Sequence, residues 1–140
     1  MSMLRKKTAT YALLALYEIA QQQNGAVNPP GVRAGDIASK HSLPKAYAAK
    51  ILSQMASAGV LHSDRGPRGG FKLNRPIEDI SMYDVFDSVG AMSGDKVKGL
   101  FVKGLPTNLL TAMTQAYGDA ADALKSVFEK VNLSKMLSPA

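Results

Sequence analysis

The chain has 140 residues, 46% of them hydrophobic, which is the composition of one ordinary folded domain. It contains no cysteine, so disulfide bridges, thiolate metal sites, cysteine-ligated iron–sulfur clusters and cysteine nucleophiles are excluded. The longest apolar run, Tyr11 to Tyr17, is too short to span a membrane, and the basic residues before it are not followed by a signal-peptide core. We therefore expect a cytoplasmic protein without membrane contact.

Charge is divided unevenly along the chain. Residues 1–75 hold eleven Lys or Arg against three acidic residues, a net charge of +8, whereas the remainder has a net charge of −2. Such asymmetry is expected when one part meets a polyanion and the other meets protein. A merely solvated basic face is the alternative, and composition alone does not separate the two.

The first part of the chain predicts three helices. Apolar residues recur at helical spacing from Thr8 to Gln23, and Asn24-Gly25 then provides a stop signal. A loop rich in proline and glycine leads to a short helix over Ala34 to Lys40, and a brief turn at residues 41–43 leads to another helix from Pro44 to about Ala58. That third helix has a predicted buried stripe formed by Ala48, Ile51, Leu52 and Met55.

A hairpin and a further short helix follow. Val60 to Arg65 and Phe71 to Arg75 predict two strands around the turn Gly66-Pro67-Arg68-Gly69-Gly70, which has a basic tip. The three glycines of this turn would allow a close approach to another backbone. Beyond Pro76, the pair Ser81 and Asp84 resembles a capping box that opens a short helix.

The last part of the chain predicts a connector and a long helix. Four glycines and three lysines between Gly90 and Gly104 are typical of a mobile connector. After Pro106, apolar residues alternate at spacings of 3 and 4, which is typical of a heptad seam. Its members are Leu110, Met113, Tyr117, Ala120, Leu124, Val127 and Val131. A seam of about 30 Å exceeds what the short helices can cover, so we expect pairing with a second copy, an internal core face being the alternative.

The order of these elements predicts a mainly α fold: a winged helix-turn-helix with a two-stranded β wing and a long C-terminal dimerisation helix. Residues 1–76 would form the DNA-binding domain and residues 77–104 the short helix and connector. Residues 105–140 would form the dimerisation helix and a C-terminal tail.

The helix that begins at Pro44 is the predicted reader of DNA. An α-helix fits the major groove, and residues near its N-terminus reach the base edges. Hydrogen-bonded reading would fall to Lys50, Tyr47 and Lys45. Tyr47 could instead be a tyrosine between helices.

Two further basic groups are predicted to contact DNA. Arg65 and Arg68 flank the wing tip, and arginine suits a narrow minor groove, whose width and negative potential it reads. Arg5 and Lys6 precede the first helix and suit phosphate contacts, which set position without reading sequence.

The motifs do not predict an enzyme. Walker and G-x-S-x-G patterns are absent from the sequence, and no G-x-G-x-x-G opens a helix. His41 and His62 lie in different elements with no nearby carboxylate pattern, so ordinary surface or turn histidines are favoured over catalytic or metal-binding ones. We expect no catalytic activity, no metal and no cofactor.

These residues resemble the Rrf-two family of bacterial winged-helix transcription regulators, which includes iron–sulfur cluster regulators and cysteine-metabolism repressors. The most specific stretch is Ala58 to Leu73, AGVLHSDRGPRGGFKL, which is similar to the family pattern A-G-L-V-x-S-x-R-G-x-x-G-G-Y-x-L. The resemblance implies a homodimer joined through the last helix, bound to a roughly palindromic operator. It also implies that Tyr47, Lys50 and Arg65 touch DNA.

The chain departs from the cluster-binding members of that family. Those members carry three cysteines between the short helix after the wing and the long helix, followed by a histidine or similar ligand. By approximate alignment, Ser93, Gly99, Leu105 and Asn108 occupy these four positions. A thiolate-held cluster, and thiol oxidation as a sensing event, are therefore excluded.

We predict a homodimeric DNA-binding transcription regulator, with repression as the expected mode, that uses neither a cluster nor a thiol. One alternative is a protein-interaction module joined through the heptad helix, with a basic part that only solubilises it. Another is a domain with a cavity between the helix around Val85 and the long helix, either an enzyme or a regulator gated by a small molecule. The identity of any small-molecule or protein effector is left open.

Overall fold

The computed structural model of the chain describes residues 4–92 and 103–139. Within these residues six helices and two strands follow one another, with a short 3-10 helix, Ile77–Asp79, after the second strand. They are α1 (Lys6–Gln23), α2 (Ala34–His41), α3 (Lys45–Ser57), β1 (Leu61–Asp64), β2 (Gly70–Leu73), α4 (Met82–Ser88), α5 (Thr107–Glu129) and α6 (Leu133–Leu137). This order confirms the predicted mainly α fold with a two-stranded wing and a long helix near the C-terminus.

The helix-turn-helix unit is formed by α2 and α3. Ser42 ends α2 in the left-handed region, at φ 55°, and the Leu43 N–H then donates to the carbonyl of Ala38 at 2.9 Å. This compact turn lets α3 begin directly after Pro44. The predicted stripe of α3 is confirmed, because Ala48, Ile51, Leu52 and Met55 are each at most 2% exposed.

The stripe of α3 joins a core built around α1. Leu16, Ile19 and Ala12 of α1 are fully buried. Burying a side chain of the size of Leu or Ile contributes about 1.5–3 kcal/mol. This packing holds α3 against the body of the protein by one side only.

A buried carboxylate ties α1 to the end of α2. Glu18 is 7% exposed, and its oxygens lie 2.6 Å from Lys40 Nζ and 3.3 Å from His41 Nε2. The hydrogen bond from Lys40 is the main reason that the pKa of Glu18 lies below its ordinary value, and it outweighs the opposing effect of burial. His41 therefore makes a structural contact with Glu18 at the start of the turn.

The wing is supported by a third segment. Strands β1 and β2 pair antiparallel, with Leu61 opposite Leu73 and Asp64 opposite Gly70. On the other edge of β2, Val32 in the loop between α1 and α2 exchanges two backbone hydrogen bonds with Phe71, of 2.9 and 2.8 Å. The loop before α2 thus adds one isolated antiparallel β-bridge to the outer edge of the hairpin.

The wing glycines approach a backbone of their own chain. A Cβ added to Gly69 would lie 2.6 Å from the Asp64 carbonyl oxygen, and one added to Gly31 would lie 2.7 Å from the Gly69 backbone. Gly70 has φ 123°, a conformation that other residues rarely adopt. The close approach expected of the tip is therefore made, at least in part, to the loop before α2.

The predicted capping box at α4 is confirmed. Ser81 Oγ accepts from the Asp84 N–H at 3.0 Å, and the Asp84 carboxylate accepts from the Ser81 N–H at 3.0 Å. Val85 and Phe86, on the inner face of the helix, are buried. This short helix is therefore fixed at its start and along one face.

The C-terminal tail after the long helix contains a further helix that the sequence pattern did not predict, α6, over residues 133–137. The Asn132 side chain caps this helix by accepting from the Lys135 N–H at 2.9 Å, and Leu133 is 1% exposed. Backbone bonds join the same segment to Ile80 and Met82. Leu133 thus belongs to one core with residues of α1 and α4. This core includes residues from both sides of the proposed domain boundary at residue 76.

The long helix α5 ends at Glu129, which is earlier than the seam requires. Val131 lies in the connection to α6, where its carbonyl accepts from the Met82 N–H at 2.7 Å. The other six seam residues lie within α5. Most of the expected connector, residues 93–102, lies outside the described residues. Within the described ranges, none of the helices has the length and hydropathy needed to cross a bilayer.

Candidate nucleic-acid interface

The outer side of α3 is basic and exposed. Lys45, Ala46 and Lys50 are exposed, whereas the buried residues of α3 are those of its stripe, Ala48, Ile51, Leu52 and Met55. The N-terminal turn of α3, which carries Lys45, begins directly after Pro44. Side chains near the start of such a helix are those that reach base edges in helix-turn-helix complexes.

Tyr47 lies at the contact between α1 and α3. Its hydroxyl is 2.9 Å from Thr8 Oγ1, and its ring meets that of Tyr11 edge-on with centroids 5.6 Å apart. The Lys7 ammonium lies 5.8 Å from the centre of the Tyr11 ring. Tyr47 is half-buried, so the structure gives it a packing role between helices while leaving part of its side chain accessible.

The basic residues at the start of the chain are partly inside α1, which begins two residues earlier than predicted. Lys6 and Lys7 belong to its first turn, and no acidic residue is present in that turn. Cations are unfavourable at the positive end of a helix dipole. Arg5 precedes the helix and is held by its N–H, which donates to the Ala91 carbonyl at 2.8 Å. All three side chains are exposed, so an anion bound here would relieve the unfavourable charge.

Arginines from two segments meet at the wing tip. Arg65 and Arg68 are exposed there, and the Arg68 guanidinium donates to the Asn28 carbonyl at 2.7 Å. Arg33, just before α2, donates to the Gly66 carbonyl at 3.0 Å. Sequence reasoning did not identify Arg33, because only the pairing of Val32 with β2 brings its loop to the tip.

An acidic residue lies among the cations of the wing. Asp64 at the end of β1 is 2.7 Å from His62 Nε2 and 3.3 Å from Lys72 Nζ. The hydrogen bond from His62, followed by that from Lys72, holds the pKa of the Asp64 carboxyl below its ordinary value. The charges of Asp64 and Lys72 offset each other, so the positive potential of the wing is concentrated at its arginine tip.

The apolar face of α5 is only partly covered by its own chain, since Leu110, Met113, Tyr117 and Leu124 are half-buried. None of its residues, all of which the structure describes, is buried. Leu109 is 45% and Val127 58% exposed. The described contacts with the core lie towards the C-terminal end of α5. There the Phe128 ring packs edge-on against the Phe86 ring, with centroids 4.9 Å apart.

A helix-turn-helix whose second helix is exposed and basic, followed by a wing with an arginine tip, defines the class of protein: a winged helix-turn-helix transcription regulator. Comparisons with known proteins extend this conclusion. The chain belongs to the Rrf2 family, whose model, described as an iron-dependent transcriptional regulator, matches residues 5–139. The resemblance predicted from the sequence is thereby confirmed.

Individual relatives agree with the family. The chain is 32% identical over 88 residues to a protein of Aquifex aeolicus named as an HTH-type transcriptional regulator, covering 63% of this chain and 58% of that protein. It is 28% identical over 127 residues to one of the same description from Mycobacterium tuberculosis, covering 90% and 76%. The chain thus spans little more than half of the Aquifex protein. These relatives are transcriptional regulators and not enzymes, as expected for this chain.

A solved structure shows the same fold. The crystal structure of Staphylococcus aureus CymR in its oxidized form matches with a TM-score of 0.69 and 21% identity, covering 100% of this chain and 98% of that one.

The residues present do not fit a thiolate-held iron–sulfur cluster. The chain has no cysteine, and no group of three or more His, Asp or Glu side chains able to hold a metal ion occurs in residues 4–92 and 103–139. Of the four positions aligned with cluster ligands, Ser93 and Gly99 lie outside the described residues. Leu105 has no donor atom in its side chain, and Asn108 is an exposed residue in the first turn of α5.

Proposed function

We propose that this chain binds double-stranded DNA as a homodimer and regulates transcription from a roughly palindromic operator. The observation that carries the proposal is the exposed basic side of α3, whose opposite side is fully buried. An exposed helix of this kind fits the major groove, where Lys50 and Lys45 would meet base edges. Tyr47 would both position α3 and present its accessible part to the DNA.

Two further contacts would flank α3. Arg65 would enter the minor groove beside the site, with Arg68 and Arg33 shaping the tip that carries it. Arg5 and Lys6 would bind phosphates, because anions at the start of α1 are favoured by the helix dipole and by the charges already there. The net charge of +8 in residues 1–75 supports a polyanionic partner.

The homodimer follows from α5. A helix gains most of its stability in proteins by packing an apolar face, and the 23 residues of α5 include none that is buried within its own chain. The heptad spacing of Leu110, Met113, Tyr117 and Leu124 is that of a helix packed along another helix. A second copy supplies an identical face, and two α3 helices related by two-fold symmetry would read the two halves of a palindrome.

Repression is the mode of regulation that requires nothing beyond this binding, because a dimer seated on a promoter excludes other proteins. Such a regulator would act in the cytoplasm, where bacterial DNA lies. Neither a metal nor a cysteine thiol takes part in the proposed action.

Selection of bound sequences from random duplex DNA tests the proposal. The expected result is an enriched motif with two inverted halves, whose spacing reports the distance between the two α3 helices. Enrichment of no motif, together with equal binding to all duplexes, would contradict sequence-specific regulation by this chain.

A further inference from the structure

The last residue of α1, Gln23, is buried and bonded to the wing. The residue as a whole is only 7% exposed. The Nε2 amide donates to the carbonyls of Phe71 at 3.1 Å and Pro30 at 3.2 Å, and Oε1 accepts from the Leu73 N–H at 2.8 Å. One amide group therefore joins α1, the loop before α2 and strand β2.

The partners leave this amide no other arrangement. The two carbonyl oxygens only accept and the Leu73 N–H only donates, so the amide orientation is fixed, and both of its N–H donors are used. Glutamate at this position would lack the two donors, and an apolar residue would lack all three bonds. A buried polar group that loses its partner costs about 1–3 kcal/mol.

The Gln23 amide continues the outer edge of β2. In a strand, residues two apart direct their backbone groups to the same edge, and Phe71 and Leu73 both direct theirs away from β1. Val32 pairs with Phe71, and Gln23 takes the carbonyl of Phe71 and the N–H of Leu73, as a residue of a third strand would. Within residues 4–92 and 103–139 no third strand continues along this edge, and the Gln23 side chain takes the place of one.

An isolated two-stranded hairpin is marginally stable in water, so the orientation of this wing depends on what holds its outer edge. The base of the wing is held there by Gln23. The tip, which carries Arg65, is held by exposed side-chain bonds such as that from Arg33 to Gly66 and by the backbone bond from Gly31 to Arg68.

We propose that Gln23 is a positioning residue for DNA binding: its amide fixes β2 against α1 and so places Arg65 for the minor groove. This inference rests on the proposed function. Gln23 itself would not touch DNA, and its effect would pass through the wing and not through α3.

A double-mutant cycle separates such an effect from a general loss of structure. Gln23→Met removes the three bonds while keeping the length and helix propensity of the side chain. The duplex is the operator obtained by selection from random DNA. In the otherwise wild-type protein, Arg65→Ala should weaken binding to it about tenfold, which corresponds to ~1.4 kcal/mol. In the Gln23→Met background the same change should weaken binding by less than about twofold, because Arg65 is already misplaced.

Two controls accompany the cycle. Lys50→Ala should cost the same affinity in both backgrounds, because α3 remains in place. Gln21→Met, at an exposed position of the same helix, should leave the cost of Arg65→Ala unchanged.

A second variant covers the case in which Gln23→Met is too unstable for the cycle. At neutral pH, Gln23→Glu should bind the operator more weakly than wild type does. As the pH falls, its affinity should approach that of wild type measured at the same pH, and Arg65→Ala should again weaken it. Its protonated carboxyl has one oxygen to accept from Leu73 and one O–H to donate to Phe71.

The outcomes of the test are distinct. Equal costs of Arg65→Ala in wild type and Gln23→Met, or a Gln23→Glu protein whose binding follows wild type at every pH, would overturn the inference alone. A Lys50→Ala cost that vanishes together with that of Arg65→Ala would show a general structural role and would also overturn it. A wild type that binds no duplex DNA would overturn the proposed function, and the inference with it.

Discussion

The hydroxyl oxygens of Tyr47 and Thr8 lie 2.9 Å apart and join α3 to the first turns of α1. Both hydroxyl groups can donate and accept, so either can supply the proton of this bond. The bond connects the helix proposed to read bases with the helix whose start is proposed to bind phosphates. It therefore fixes the two contact regions relative to each other.

Removing either hydroxyl should have the same effect on stability. Tyr47→Phe and Thr8→Val should each lower the free energy of unfolding by about 0.5–1.5 kcal/mol, the usual contribution of one hydrogen bond. The double mutant should unfold with about the same free energy as the less stable of the two single mutants, because the same single bond is lost in each of the three variants. Urea unfolding of the four proteins measures this, and additive losses would show that the two hydroxyls act separately.

Salt should weaken DNA binding steeply. Each phosphate neutralised by Lys or Arg releases counterions, and a dimer doubles the charge of +8 carried by residues 1–75. With six to ten phosphate contacts, affinity should fall by roughly 10³ to 10⁵ between about 50 and 200 mM salt. Fluorescence anisotropy with a labelled duplex measures the slope, and a nearly flat response would exclude the proposed DNA contacts.

Substitutions in the three basic regions should differ in kind. Lys50→Ala should relax preference at particular operator positions, at a cost of about 1–3 kcal/mol, because it removes a base contact. Lys6→Ala should weaken binding to all sequences alike, since a phosphate contact carries no sequence information. Arg65→Ala should do most harm where the flanking minor groove is narrow. Titration against operator and random duplexes measures each effect, and equal losses for all three variants would show that α3 is not the reading helix.

A charge in the middle of the α5 seam should separate the dimer. Leu124→Glu would place two like charges face to face across a two-fold axis, where both are desolvated. Operator affinity should then fall far more than after loss of one base contact, because each monomer would bind one half-site without help from the other. Ser126→Glu, on the exposed side of α5, is the matched control and should remain dimeric.

Analytical ultracentrifugation of the two variants and the wild type measures this difference. A wild type that is monomeric at tens of micromolar, or a dimeric Leu124→Glu protein with normal binding, would show that the seam does not join two copies.

Acid should remove the stabilisation provided by Glu18. Its pKa is lower in the folded state than in the unfolded chain, so its contribution is complete above the unfolded value of 4.5 and is lost as the pH falls through the folded value. At neutral pH, Glu18→Gln should lower the free energy of unfolding by about 1–2 kcal/mol, a range reduced for the exposure of Lys40. The difference from wild type should shrink below pH 4.5. Urea unfolding between neutral and acidic pH measures it, and a difference independent of pH would contradict this account.

Local patterns determined most of the secondary structure of this protein. The stripe of α3, the Ser81–Asp84 capping box and the glycine-rich hairpin depend on residues close together in the chain, so their spacing predicted them. The start of α1 was placed two residues late, because its basic first turn contradicts the usual preference for acidic residues there. The helix α6 was missed because its five residues give too little periodicity. It is stabilised by the burial of Leu133, by the Asn132 cap and by the backbone bond from Leu133 to Ile80.

The sequence alone predicted the class of site, since the basic residues of α3 and the wing stand in recognisable local patterns. Tertiary structure decided which side chains work together. Tyr47 meets Thr8, Arg33 meets the wing tip, and Gln23 meets β2 only because packing of a common core brings distant segments into contact. Hydrogen bonds across such distances depend on where each backbone carbonyl and N–H is left unpaired, and no periodicity of residue types encodes that information.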